Sequence, residues 1–165
     1  MDSKGYLMDI SRLQKLFGVG PVGAVISFVM FMIAVGVDRR MGHSPILANP
    51  APIKVVGECL AFIGLGLFFW SLWTLQNWWA KDKLCTKGPF KWFRHPLYAA
   101  WITFILPAMA LYLNSWIILI FAVLIHPIWH MLVIREEKMM DEKFRNEYRA
   151  YAARTGRFFP RIWHW

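Results

Sequence analysis

Ala99–Ile134 reads AAWITFILPAMALYLNSWIILIFAVLIHPIWHMLVI, without a single Asp, Glu, Lys or Arg. A helix needs about 20 consecutive apolar residues to cross the hydrocarbon core of a bilayer. The part after Asn114 supplies that length, and the part before it is shorter. Between them, Asn114 and Ser115 can turn the chain at once, so residues 99–113 and 115–134 are expected to form a tight antiparallel helix hairpin.

Two further apolar runs cover residues 17–37 and 55–80. The expected fold is therefore an all-α integral membrane protein, a single domain over residues 1–165 with four transmembrane helices. A composition 58% hydrophobic and 17% aromatic excludes an ordinary soluble domain. The formal charge of +9 does not point to nucleic acid, because the cations flank apolar spans instead of covering a soluble surface. Of the 19 Lys and Arg, sixteen fall on one side of the four spans and three, Arg39, Arg40 and Lys54, on the other. The positive-inside rule places both termini and the loop before Ala99 in the cytoplasm, as in the inner or plasma membrane of a prokaryote.

Before the first run, Ile10, Leu13 and Phe17 are spaced as a short interfacial lead-in beside Lys4, Arg12 and Lys15. Residues 39–54, with Pro45, Pro50 and Pro52, read as an irregular outer loop without assignable chemistry. Cys59 and Cys85 have neither disulfide nor metal spacing and are expected as unpaired thiols. Beyond Ile134 comes REEKMMDEKFRNEYRAYAAR (Arg135–Arg154), in which Met140, Phe144, Tyr148 and Tyr151 recur at helical spacing. It predicts a cytoplasmic amphipathic tail helix continuing the last span.

Polar groups at membrane depth are costly and tend to mark sites. Gln76, Asn77, Arg94, His95, Tyr98, His126, His130, Glu136 and Glu137 gather near the expected cytoplasmic end. On one continuous helix His126, His130 and Glu137 share a stripe, and Glu136 points about 100° away. The histidine pair lacks a convincing third ligand, so no metal site is expected. Gly64 and Gly66 in the second span fit helix packing or close approach of a ligand. The loop TKGPFKWFRHPLY (Thr86–Tyr98) is stiffened by two X-Pro steps. Lys91 and Arg94 offer it donors for an anion, and Trp92 and Phe93 offer flat faces. Anionic headgroups and a ligand account for that loop equally well.

GPFKWFRHPLYAAW, followed by a helix hairpin and then REEKMMDEKFRNEYRAYAARTGRFFP, resembles the superfamily of integral-membrane methyltransferases that includes isoprenylcysteine carboxyl methyltransferases and phospholipid N-methyltransferases. The shared pattern is roughly G-P-Y, R-H-P-x-Y-x-G, a hairpin, E-E, and F-G-x-x-Y-x-x-Y before a terminal proline. Phe90, Ala100 and Arg145 depart from its Tyr and two Gly positions, and Leu132 stands where a basic residue is frequent.

The resemblance implies an S-adenosyl-L-methionine pocket lined by Lys87, Gly88, His95, Pro96, Leu97, Tyr98, Glu136 and Glu137, with Gly64 and Gly66 as its small-residue pair. It implies a lipid-like or prenyl-like acceptor, a carboxylate or an amine, entering from the bilayer. Arg94 or Lys91 would hold a carboxylate, whereas an amine needs a base, for which Glu137 and His130 are available. An acid pressed against the sulfonium would stabilise reactant over transition state, so Glu136 and Glu137 suit the cofactor's ammonium or ribose hydroxyls better. A membrane reductase using NADPH and a non-catalytic lipid-binding protein are the alternative readings.

Overall fold

The structure is a computed structural model and describes residues 18–78 and 83–161. The interfacial lead-in with Lys4, Arg12, Lys15, Ile10, Leu13 and Phe17 lies outside the described residues, as do positions 79–82 and 162–165.

Four helices carry the described chain. Helix α1 is Gly20–Arg40, opened by Pro21 in its first turn and closed by Arg39 and Arg40 in its last. Both suit those positions: proline lacks an N–H that the first turn would leave unbonded, and cations face the carbonyl end. Helix α2 is Ala51–Trp78, helix α3 Pro96–Tyr112 and helix α4 Trp116–Arg154. Helices α1, α2 and α4 are long and apolar enough to cross a membrane, which makes this a multi-pass integral membrane protein. Helix α3 is apolar but shorter, so the described residues hold three long candidate spans where four were expected. The first helix also starts and ends about three residues later than the apolar run, and the second begins four residues earlier, at Ala51.

Helix α3 is irregular. Ala100–Ile105 winds as a π-helix before α-helical geometry resumes at Leu106. Pro107 has no N–H for the carbonyl four residues back, and its ring would strike that carbonyl. The wider turn ahead of it absorbs the misfit.

The helices pack in the order α1, α4, α3, α2. Small side chains set the two outer contacts, as they do where lipid supplies no hydrophobic drive between helices. Helix α1 buries Gly23, Ser27, Ala34 and Asp38. Any Cβ on Gly23 would collide with the Trp129 indole, whose N–H donates to the Ser27 hydroxyl at 2.9 Å. Helix α2 buries Gly57, Gly64 and Ser71; Gly64 backs onto Phe104 and Ile105 in the π-helical turn.

The hairpin between α3 and α4 turns at Leu113–Ser115, with Asn114 left-handed at φ 52°. The loop after α1 clamps it. Asn114 Oδ1 accepts from the Ile46 and Leu47 amides at 3.1 and 3.0 Å, and its Nδ2 donates to the Leu47 carbonyl at 2.9 Å. Ser115 donates its hydroxyl to Asp38 Oδ1 at 2.6 Å, and His43 Nδ1 meets Asp38 Oδ2 at 2.7 Å. The stretch that reads as an irregular loop is thus a latch.

Helix α4 extends through the tail, with one break. Arg145 takes φ 45° and ψ −119°, and the chain turns there. Arg149 then reaches back across the break to both oxygens of Asp141, at 2.8 and 2.9 Å. The expected tail helix thus continues the last span, with a kink at Arg145. The turned segment packs Tyr148 and Tyr151 against Leu84, with Phe144 beside them.

Candidate active site

At the basic end of the bundle, the stiff loop and the returning C-terminal segment run side by side. The Arg94 amide donates to the Gly156 carbonyl at 2.7 Å and the His95 amide to the Arg157 carbonyl at 3.2 Å. From beneath, the Tyr151 hydroxyl donates to the carbonyls of Phe90 and Phe93 at 2.8 and 3.2 Å. Burial pushes the Tyr151 phenol up, so it remains a donor at any working pH. His95, before Pro96, is kept out of the helical region at φ −126° and ψ 67°, and the chain then enters α3. That entry swings Tyr98 one turn on, stacked on the His95 ring with centroids 5.5 Å apart.

Glu136 and Glu137 meet this corner from α4, each with a different set of partners. Glu136 accepts from the Tyr98 hydroxyl at 3.0 Å and from the Val19 amide at the start of α1 at 2.5 Å, with His95 Nδ1 3.4 Å from its other oxygen. Gly18, at φ +49°, leaves room for that carboxylate, which any Cβ there would strike. Glu137 is gripped by Arg157 through Nε, 3.0 Å from each oxygen, and Nη2 at 2.6 Å. Arg94 Nη1 adds a contact at 3.0 Å and His95 Nε2 another at 3.4 Å. Burial works to raise the Glu137 pKa, but the bonds from His95 and Arg157 and the charge of Arg94 outweigh it and hold the carboxyl at about 2. So placed, Glu137 is a permanent anion and a weak base.

The remaining side of the site is aromatic. Phe158 is buried, its ring 4.8 Å from that of His130 and 6.1 Å from that of His95. His130 Nδ1 lies 3.3 Å from Arg157 Nη1, which makes that nitrogen the acceptor and the ring a neutral imidazole. One turn deeper, His126 stacks on Phe159.

Of the residues singled out in the sequence, Arg94, His95, Tyr98, His130, Glu136 and Glu137 are brought together. Pro96 is buried at the start of α3 and Leu97 half-buried after it. Lys87 lies over the Trp78 ring, Gly88 against Thr74 and Trp70, and Gly64 in the α2–α3 contact. Gly66 faces open space. Sequence reading missed Arg157, Phe158 and the Gly18–Val19 turn. The one local signal was the TGRFFP turn, a cation and two aromatics just past a helix end.

A protein-family model described as phospholipid methyltransferase matches residues 53–147, more than half of the chain. The chain belongs to the phospholipid methyltransferase family. As a member it is an S-adenosylmethionine-dependent methyltransferase. A search of curated proteins finds no match. The family match covers the Arg94–Tyr98 corner and both acids but stops short of Val19 on one side and Arg157 on the other. Two walls of this candidate site therefore come from segments that the family model does not reach.

The site's residues fit the cofactor. Glu136 is a carboxylate met by neutral donors and an imidazole, suited to a cation or to ribose hydroxyls. The His95 and Tyr98 rings offer flat surface, and Arg94 Nε is a buried donor without a partner among the described residues.

Proposed function

We propose that the protein crosses the membrane four times with both termini cytosolic, and methylates a phospholipid-type acceptor at the membrane–cytosol interface. The observation that carries this reading is the convergence of Arg94, His95 and Tyr98 with Glu136 and Glu137 at the basic end of the bundle. At about 1.5 Å per residue the 17 residues from Pro96 to Tyr112 reach roughly 25 Å, near the thickness of the hydrocarbon core. Helix α3 is thus the short fourth span.

S-adenosylmethionine supplies an electrophilic methyl whose departure discharges a sulfonium. Glu136, His95 and Tyr98 hold the cofactor's ammonium or ribose hydroxyls, and Lys87, Gly88, Gly64 and Gly66 stay at the periphery. Phe158 and the turned tail keep water from the reacting groups, and most of the acceleration comes from alignment. For an amine acceptor the proton passes to Nδ1 of His130, which must first release the Arg157 N–H it accepts, because the neutral ring's Nε2 already carries a hydrogen and Glu137 is held by two arginines.

Purified protein titrated with S-adenosylmethionine, its demethylated product and NADPH tests the assignment, together with transfer of a labelled methyl into extracted lipids. Binding of NADPH alone overturns it. Cys85, half-buried beside Tyr151 with its thiol pushed up by burial, reports topology. In a Cys59→Ser background a membrane-impermeant maleimide should label it slowly and only from the cytosolic side. Labelling solely from outside would break the four-span arrangement.

A further inference from the structure

Two guanidinium groups converge on one carboxylate. Arg157 grips Glu137 through Nε and Nη2, and Arg94 through Nη1, so this half of the site carries one positive charge more than Glu137 neutralises. The surplus is not locked away. Among the described residues Arg94 keeps its buried Nε without a partner, and Arg157 leaves 30% of its side-chain surface exposed. A buried unpaired donor beside surplus cationic charge is costly until an anion meets it. Glu136, next along the helix, is held by a phenol, a backbone amide and an imidazole. The adjacent acids therefore differ in kind: one half of the site wants a cation and the other an anion.

We infer that Arg94 and Arg157, drawn together by Glu137, form a receptor for an oxyanion, either a carboxylate or a phosphodiester. This rests on the proposed methyltransferase reading. Two molecules at such a site carry an ammonium and an oxyanion a few bonds apart: the amino-acid end of S-adenosylmethionine and a phosphoethanolamine headgroup. The planar forks of both arginines suit either oxyanion. Glu137 is on this view the positioning residue that holds the two forks side by side.

The test compares affinities within two pairs of probes, using the full chain in nanodiscs and tryptophan fluorescence or calorimetry as readout. One pair is S-adenosylmethionine and its decarboxylated form. The other is short-chain phosphatidylethanolamine and an alkylamine of equal chain length. The wild type should prefer the oxyanion-bearing member of one pair by about tenfold or more, the scale of a charge-assisted hydrogen bond. Arg157→Gln and Arg94→Gln should each reduce that preference towards unity, and Arg157→Lys should restore part of it. Because each ratio is taken within one variant, partial loss of folded protein cancels. Preference within the cofactor pair assigns the carboxylate, and within the lipid pair the phosphodiester. A wild type with no preference in either pair, or glutamine variants that keep it, overturns the inference. A wild type that binds no S-adenosylmethionine overturns the function reading instead, and the lipid pair still decides whether an oxyanion is received.

Discussion

The two ends of the bundle each bury a carboxylate, and the contrast between them separates a clasp from the candidate site. Asp38, 5% exposed, takes short bonds from Ser115 and His43 and a longer one from the Ser44 amide. Its partners lie on the loop and turn it joins, and they close around it. Glu137, 9% exposed, is bound by arginines from two different segments, one of which retains an unpaired buried donor. A carboxylate met by a hydroxyl, an imidazole and an amide of the elements it ties together makes a latch. A carboxylate met by two guanidinium groups, with a donor to spare, fits the proposed receptor.

The largest effect that would sharpen this contrast is at Glu136. Glu136→Gln keeps the shape but removes the charge offered to a cation, and should weaken S-adenosylmethionine binding roughly 10- to 100-fold. Asp38→Asn should leave that affinity unchanged. An equal loss from both variants would show that the latch, too, supports the site, and the contrast would fail.

Acid titration comes next. The folded-state pKa of Glu137 is depressed from 4.5 to about 2, so the unfolded chain takes up this proton first as pH falls. The resulting stabilisation, on the order of 3 kcal/mol, is fully present above pH 4.5 and fades towards pH 2. Denaturant unfolding in detergent should follow that limb in the wild type. Glu137→Gln should lack it and be less stable at neutral pH, since two guanidinium groups lose their counter-ion. An unchanged acid limb in the glutamine variant would mean that another carboxylate governs it.

Smaller still is the clasp itself. Ser115→Ala removes the bond to Asp38 and the helix cap given to Ile118, for about 1–2 kcal/mol, with methyl transfer per folded molecule unchanged. A loss of transfer beyond the loss of folded protein would couple the two ends.

What could be read in the sequence follows the range of the interactions. Asn114 and Ser115 announced the hairpin because a turn is a local event. The pairing of His95 with the acids was legible only through the order of motifs, since 41 and 42 positions separate them in the chain. The pairing of Arg157 with Glu137 was not legible, because 20 residues separate them and the chain returns only after the turn at Arg145. The latch was missed for a different reason: three prolines make residues 39–54 look inert, while most of the groups that bind there are backbone amides and a carbonyl, which every sequence contains. Gly64 and Gly66 show the converse, a conspicuous pair of which one packs a helix and the other faces open space.

At Arg145 the Glu137 end of the bundle depends on one backbone torsion. Its φ of 45° with ψ −119° lies where a Cβ is strained and glycine is not. The related methyltransferase pattern has glycine after Phe144, a residue that this chain's torsion would suit, and beyond the turn Tyr151 comes under the loop and Arg157 onto Glu137. This chain turns there with arginine and braces the turn with the Asp141–Arg149 pair. Arg145→Gly should therefore stabilise the protein by about 1 kcal/mol, once the gain from relieved strain is set against glycine's greater freedom in the unfolded chain. Thermal unfolding reads the gain, and affinity for S-adenosylmethionine should stay as it is. Destabilisation instead would mean that the arginine side chain, and not the torsion alone, holds the reversal that delivers Arg157 to the site.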